Sequence, residues 1–339
     1  MNDKCRSLSI SVIAVAIGFL AGGVCHAAEP QWDKMGWIDA KTITLRAGYN
    51  TVQQYPHARA FERFAHRTAE MTGQNLIIQT FPSEALGDEK KMLEALTLGT
   101  LDMAKISTAN ISSSIPEFGV LDLPYIFRDV SHMMKTLRSD IGKELTAKLA
   151  QRNLKVLFWM EQGSRSFYTV KRPINTPDDL KGMKIRTLPS PIMASTISAL
   201  GGSVVTMGFG ELYLALNQGV VDGAENAPDA IYYAKHYEVA KFFSLTNHFR
   251  APVVFLMNKA KFDSLPKEYQ EIIDLASKEA EDWGATLYSD LTVELEKKLT
   301  SLGMTINRPD EAPFRKAVAP VYEKAKALAP LIARIEAIQ

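Results

Sequence analysis

The sequence predicts an α/β fold arranged as two lobes. Three observations carry that reading. Short apolar runs alternate with amphipathic stretches of helical spacing. In the first third a strand and a helix follow one another twice and return to a strand, the pattern of parallel βαβ units. Near the C-terminus one helical stretch of about 35 residues would be ~50 Å long, more than one small domain is wide.

The elements follow in order. Thr42 to Gly48 alternates like a strand, and His57 to Thr72 sets Ala58, Phe61, Phe64, Ala65 and Ala69 at helical spacing. Asn75 to Thr80 is a second strand. Asp88 stands at the N-cap of a helix whose Met92, Leu93 and Leu96 face the core. Leu101 to Ile106 and Leu154 to Met160 are further strands. Thr176-Pro177-Asp178-Asp179 reads as a capped helix start leading into the strand Lys184-Ile185-Arg186. Pro191 to Leu200 is a helix stopped by Gly201-Gly202, and Ser203 to Met207 is a strand. Glu211 to Gln218 is helical, and Val220 to Ala224 and Val253 to Met257 are strands. The long helix runs from Pro266 to about Leu302, with a bend expected near Gly284. The tail from Pro313 to Gln339 is helical, interrupted at Pro320 and Pro330.

The chain has 339 residues, enough for two domains. Lys plus Arg is 39 and Asp plus Glu is 38. That balance offers no basic field for nucleic acid. The first thirty residues combine Lys4 and Arg6, an apolar run from Leu8 to Val24, and small residues before Glu29. This is the plan of a secretory signal peptide over residues 1–27, cleaved after Ala27 or Ala28. An N-terminal anchor or a lipoprotein leader on Cys25 are the rival readings. Loss of the leader removes Asp3, Lys4 and Arg6, leaving a net charge of zero. It also removes Cys5 and Cys25, both of the chain's cysteines, so thiol chemistry and disulfides are not expected.

Enzyme motifs are missing. There is no G-x-S-x-G elbow, phosphate loop or H-E-x-x-H. His57, His66, His132, His236 and His248 are dispersed, so no metal site is expected. Gly208-Phe209-Gly210 resembles a dinucleotide loop, but Tyr213 holds the third glycine position, and no cofactor is expected. Two arginines near strand ends are more informative. Arg165 lies in Gly163-Ser164-Arg165, and Arg186 closes Lys184-Ile185-Arg186. A buried arginine needs an anion, and its fork suits a carboxylate. That anion is either a ligand or a neighbouring Asp or Glu. Asn226 could add a donor, and Glu225 reads as a structural partner. Phe209 and Tyr213 read as core aromatics or as an apolar wall of a ligand site.

In sequence order, several stretches carry a family resemblance. They are Leu86-Gly87-Asp88-Glu89, Gly99-Thr100-Leu101-Asp102, Leu121 to Phe127, Gly163-Ser164-Arg165, Asp179 to Arg186, Phe209 to Tyr213, and Leu216 to Asn226. The chain resembles the DctP-like solute-binding proteins of tripartite ATP-independent periplasmic (TRAP) transporters. The resemblance spans the whole chain behind the leader. It implies a type II-like periplasmic binding-protein fold: two α/β lobes, a ligand cleft between them, and a long helix crossing both. The lobes would be residues 41–163 plus 251–291 and residues 164–250 plus 292–339.

The resemblance also implies a site. Arg186 falls on the carboxylate-clamping arginine, Arg165 on a second cleft arginine, Asn226 on the asparagine that completes the anion site, and Phe209 on a pocket aromatic. Asn50 and Asp88 match positions that sialic-acid-binding members use, whereas Ser107 stands where those members have glutamate. Gln53, Gln54, His57 and Lys105 lie where contacts from the first lobe could occur. Entry of Lys105 or His57 into the cleft would favour a C4-dicarboxylate. Dominance of Asn50, Gln53, Gln54 and Asp88 would favour a sugar acid. The implied protein is a periplasmic monomer that closes on one small organic acid and delivers it to membrane subunits. A binding protein for an ATP-driven transporter or sensor, or a secreted enzyme acting on organic acids, are the alternatives.

Overall fold

A computed structural model of the chain describes residues 42–288 and 291–339. The expected leader, with Cys5 and Cys25, lies outside the described residues. The first sheet has the strand order β2-β1-β3-β10-β4, from β1 (Ile43–Gly48), β2 (Leu76–Phe81), β3 (Met103–Ser107), β4 (Leu154–Met160) and β10 (Val253–Asn258). The second has the order β11-β9-β5-β8-β6-β7, from β5 (Arg165–Thr169), β6 (Lys184–Thr187), β7 (Ser203–Thr206), β8 (Gly223–Asn226), β9 (Phe242–Phe249) and β11 (Thr305–Asn307). Strand β1 pairs in parallel with β2 and β3, and β6 with β7 and β8. Both sheets are therefore built around the parallel units that the alternating pattern predicts.

The early helices are α1 (Pro56–Met71), α2 (Glu89–Leu98), α3 (Thr108–Ile111), α4 (Val130–Arg138) and α5 (Asp140–Ala150). The second sheet adds α6 (Pro191–Ala199), α7 (Leu212–Asn217) and α8 (Pro228–Tyr233). Several starts have clear local causes. Asp88 accepts from Lys91 N–H at 2.8 Å and caps α2. Pro56, Pro191 and Pro228 open their helices, where a missing N–H costs nothing. The Thr176 capping box forms as expected but heads a 3₁₀ turn, Pro177–Leu180.

After α9 (Lys259–Asp263) come α10 (Lys267–Tyr288) and α11 (Leu291–Ser301). The expected long helix is thus described as two pieces, with residues 289 and 290 outside the description. Helix α10 packs on α1 and β4 of the first sheet, and α11 on α8 and β11 of the second. Helix α10 continues through Gly284. A Cβ there would sit 2.5 Å from Met160 Cε and 3.2 Å from Ala60 Cβ, so this glycine permits close packing. The tail forms α12 (Glu311–Ala317), α13 (Ala319–Lys324) and α14 (Ala329–Glu336), with Pro320 and Pro330 in first turns. Helix α13 packs on α6, and α14 on α5.

Three large apolar clusters, with a fourth small one at Ala109, Leu188 and Phe249, hold the described residues. One joins Leu45, Phe61, Phe158, Phe255 and Ile273 beneath α1 and α10. A second is continuous from Leu96, Ile106 and Leu145 to Ile185, Ile197 and Phe314. A third packs Tyr168, Leu216, Val221, Phe243 and Leu299 on the outer side of the second sheet. Each fully buried side chain of this kind stabilises the fold by roughly 1.5–3 kcal/mol.

Some local readings shift. The expected strand at Val220 to Ala224 begins at Gly223 and ends at Asn226. Arg165 starts a strand that is antiparallel to both neighbours, β8 and β9. Strand β9 was hidden by its composition. The polar Ser244, Thr246 and His248 are fully buried, so no polar-out alternation marks it. The Ser244 hydroxyl accepts from Ile174 N–H, and Thr246 pairs with His248, which satisfies these polar groups.

Candidate functional site

The chain passes from the first sheet to the second between β4 and β5 and returns between β9 and β10. These two links lie side by side, since Arg165 is paired with Phe249 and Val253 with Met160. Gly163, in the first link, has φ +70°, and a Cβ there would come within 2.7 Å of the Ala227 Cβ. Only glycine meets both demands.

Most of the expected site residues sit at carboxyl ends of parallel strands, where open α/β sheets leave a crevice. Asn50 follows β1, Asp88 follows β2, Ser107 ends β3, Phe209 follows β7 and Asn226 ends β8. Arg186 lies on β6, between β7 and β8.

The two arginines differ in what satisfies them. Arg165 is fully buried. Its Nε donates to Glu225 Oε2 at 2.5 Å, and Nη2 to Glu225 Oε1 at 3.0 Å and to the Glu225 carbonyl at 2.9 Å. Its Nη1 donates to Asn226 Oδ1 at 2.8 Å. Thr187 adds a hydroxyl donor to Glu225 at 3.0 Å. Of the two anions left open by the sequence, the neighbouring glutamate takes Arg165. Arg186 is also fully buried, but its Nε and Nη2 both donate to one carbonyl, that of Met207, at 3.1 and 2.7 Å. Its Nη1 is buried without a partner. Burial pulls the Arg186 pKa below the ordinary arginine value, with Glu225 opposing the shift.

A cavity of about 170 Å³ opens beside Arg186. Arg186, Met207 and Phe209 line it from the second sheet. Asn50, Glu84, Asp88, Glu89 and Asn110 line it from the first, with exposed Lys90 also on its wall. Glu89 is buried and collects donors from Lys105 Nζ at 2.6 Å, Ser107 N–H at 2.9 Å, the Ser107 hydroxyl at 3.3 Å and Asn110 Nδ2 at 2.5 Å. Lys105 Nζ also donates to Asn50 Oδ1 at 2.9 Å, leaving Asn50 Nδ2 without a partner among the described residues. Glu84 Oε1 accepts from Gly210 N–H at 3.2 Å, which ties the loop after β2 to the loop after β7. Burial, and then Glu89 and Asp88 nearby, raise the Glu84 pKa against the pull of the Gly210 bond.

The cavity thus gathers Asn50, Asp88, Arg186 and Phe209. Arg165 and Asn226 do not line it. Ser107 reaches it only through Glu89, and Gln54 is exposed and lines no part of it. Lys105 is occupied by Glu89 and Asn50. His57 is buried between the Thr51 hydroxyl at 3.2 Å and the Tyr288 hydroxyl at 3.3 Å, and burial followed by the charge of Lys105 keeps its pKa well below the usual value. Sequence reasoning missed Glu84, Glu89 and Asn110. Glu89 stands inside the Leu86-Gly87-Asp88-Glu89 stretch, and Asn110 lies three residues past Ser107, so position relative to the motifs was their one available signal. Among the described residues no group of three or more His, Cys, Asp or Glu side chains could hold a metal ion, and no helix is long and apolar enough to cross a membrane.

Residues 47–327 match the DctP family, bacterial extracellular solute-binding protein, family 7. The chain belongs to this family of TRAP solute-binding proteins. A solute-binding protein of Verminephrobacter eiseniae is 38% identical over 83% of this chain and 84% of its own. The 2,3-diketo-L-gulonate-binding periplasmic protein YiaO of Escherichia coli is 35% identical over 73% of this chain and 75% of its own. The C4-dicarboxylate-binding periplasmic protein DctP of Rhodobacter capsulatus is 27% identical over 84% of this chain and 87% of its own. Crystal structures agree with the fold. The TRAP periplasmic solute-binding protein of Sulfitobacter sp. NAS-14.1, with bound β-D-galacturonate, superposes with a TM-score of 0.83 at 33% identity, covering 86% of this chain and 98% of that one. That of Roseobacter denitrificans, with bound β-D-glucuronate, gives 0.84 at 33% identity, covering 88% and 100%. The DctP-family chain therefore has the two-lobed fold of these binding proteins.

Proposed function

We propose that this DctP-family protein binds one sugar acid, a hexuronate or a related monocarboxylate polyol, and presents it in the periplasm to the membrane subunits of a TRAP transporter. The observation that carries the reading is the unpartnered Nη1 of buried Arg186 at the cavity. A ligand carboxylate would complete the guanidinium without disturbing its bonds to Met207. The opposite wall supports hydroxyl recognition. Glu84, Asp88 and Glu89 accept hydrogen bonds and repel a second carboxylate, while Asn50 Nδ2 donates. The uronates bound by two similar structures favour the same class. Lys90 favours the second reading, a C4-dicarboxylate, but it is exposed.

In this reading Arg165 and Asn226 act from outside the cavity wall, with Glu225 matching the Arg165 charge. Residues 41–163 plus 251–291 and residues 164–250 plus 292–339 close as lobes on the ligand. Residues 1–27 direct export and are removed, and the protein acts as a monomer without catalysis. Calorimetric titration of the mature protein with glucuronate, galacturonate and succinate tests the class. Binding of a uronate that Arg186→Met abolishes, with the fold intact by circular dichroism, is expected. Tight uronate binding by Arg186→Met, or binding of succinate alone, would contradict the proposal.

A further inference from the structure

A second cavity, also about 170 Å³, adjoins the first. Asn50, Glu84 and Phe209 line both. One hydrogen bond bridges the boundary, from Gly210 N–H to Glu84 Oε1. The character of the walls changes across it. Where the first cavity has Arg186 and three carboxylates, the second has the rings of Tyr55, Tyr213, Tyr233 and His236 beside Phe209. Glu84 is its one acidic residue, and it has no Lys or Arg. Such a surface suits a neutral body with C–H faces and a few hydroxyls, which is what a second sugar ring presents.

His236 adds a polar anchor. It is 1% exposed, and its Nδ1 lies 2.8 Å from the Tyr168 hydroxyl. Its Nε2 has no partner among the described residues. Burial, and then the charge of Arg186, lower its pKa to about 3, so the ring is neutral at physiological pH. With Nδ1 paired to the Tyr168 hydroxyl, Nε2 is the ring nitrogen left for a ligand at the wall of this cavity, a donor or an acceptor according to the tautomer.

We propose that the binding site is bipartite and takes a disaccharide acid, the uronate unit in the first cavity and a neutral second ring between Tyr213, Tyr233 and His236 in the second. This rests on the sugar-acid reading above. The equal volumes give the second ring as much room as the first. The bridge between Glu84 and Gly210 opens to admit the glycosidic link, at the cost of a single hydrogen bond.

The test compares glucuronate with cellobiouronic acid (glucuronosyl-glucose) by calorimetric titration of the mature protein, wild type and Tyr213→Ala. Tyr213 is only partly buried and its hydroxyl bonds to Glu238, so truncation leaves the core intact. The disaccharide acid is expected to bind at least as tightly as glucuronate. Tyr213→Ala is expected to weaken the disaccharide about five- to tenfold and glucuronate by less than about twofold, with Tyr213→Phe restoring the wild-type values. Tenfold weaker binding of the disaccharide to the wild type, or an equal loss for both ligands in Tyr213→Ala, would overturn the bipartite site. Failure of glucuronate and galacturonate alike would instead overturn the sugar-acid reading, and the single-ring titrations show which has failed.

Discussion

At the residue scale two fully buried arginines are satisfied in different ways. Arg165 has its charge matched inside the protein by Glu225, with Asn226 and Thr187 completing the cluster. Removing one partner of such a pair leaves the other charged and buried. Arg165→Met is therefore expected to cost about 3–5 kcal/mol of stability, read as the loss in a denaturant titration. Arg186 has no carboxylate partner, and its Nη1 is unsatisfied. Arg186→Met is expected to leave stability unchanged or raise it, while weakening uronate binding by roughly 2–5 kcal/mol. Equal destabilisation by the two substitutions would show that Arg186 is structural as well. The sequence exposed both arginines, because a fixed charge near a strand end needs an anion. Spacing alone could not rank them, although the family resemblance set Arg186 on the clamping position; what separates them is Glu225, which reaches Arg165 diagonally across the β5–β8 pair. Gln54 illustrates the converse: it lies close in sequence to Asn50 and Thr51, yet it faces solvent.

At the element scale, the parallel units were legible from period and capping. Strands β1, β4, β6 and β7 and helices α1, α2 and α6 lie within about two residues of where spacing, Asp88 and Pro191 put them. Strands β5 and β9 were not legible, because both faces are covered and polar side chains such as Ser166 and Ser244 are buried with the rest. These strands carry the links between the sheets, and the links depend on close approach. Gly163→Ala would force a side chain into left-handed backbone and against Ala227. The expected loss is about 1–3 kcal/mol, visible as a lower thermal midpoint. An unchanged midpoint would show that the link has slack.

For the whole molecule, polar groups at the join between the two sheets couple the fold to pH. Asp122 ends the 3₁₀ turn Pro116–Asp122, and its Oδ2 accepts from Ser190 Oγ, the cap of α6, at 2.6 Å. Its Oδ1 has no partner, and burial raises its pKa to about 7 despite the Ser190 donor. The folded state then holds this proton more tightly than the unfolded chain. Its stabilising effect is complete below about pH 4 and is lost as pH rises to about 7. Asp122→Asn is expected to match the wild type near pH 4 and to exceed its thermal midpoint by a few degrees at pH 8. A difference that does not change with pH would contradict this assignment. The closure proposed above belongs to this scale too. A ligand that touches Arg186 on one side and Asn50 and Asp88 on the other favours the state in which both are near.

The most direct test is a thermal-shift titration of the mature protein with galacturonate and glucuronate beside succinate, in wild type and Arg186→Met. A ligand at a hundred times its dissociation constant adds about 2.7 kcal/mol to the folded state. The account expects a uronate to raise the wild-type midpoint by several degrees and to leave Arg186→Met unmoved. A shift by succinate alone, or an equal uronate shift in both proteins, would contradict it.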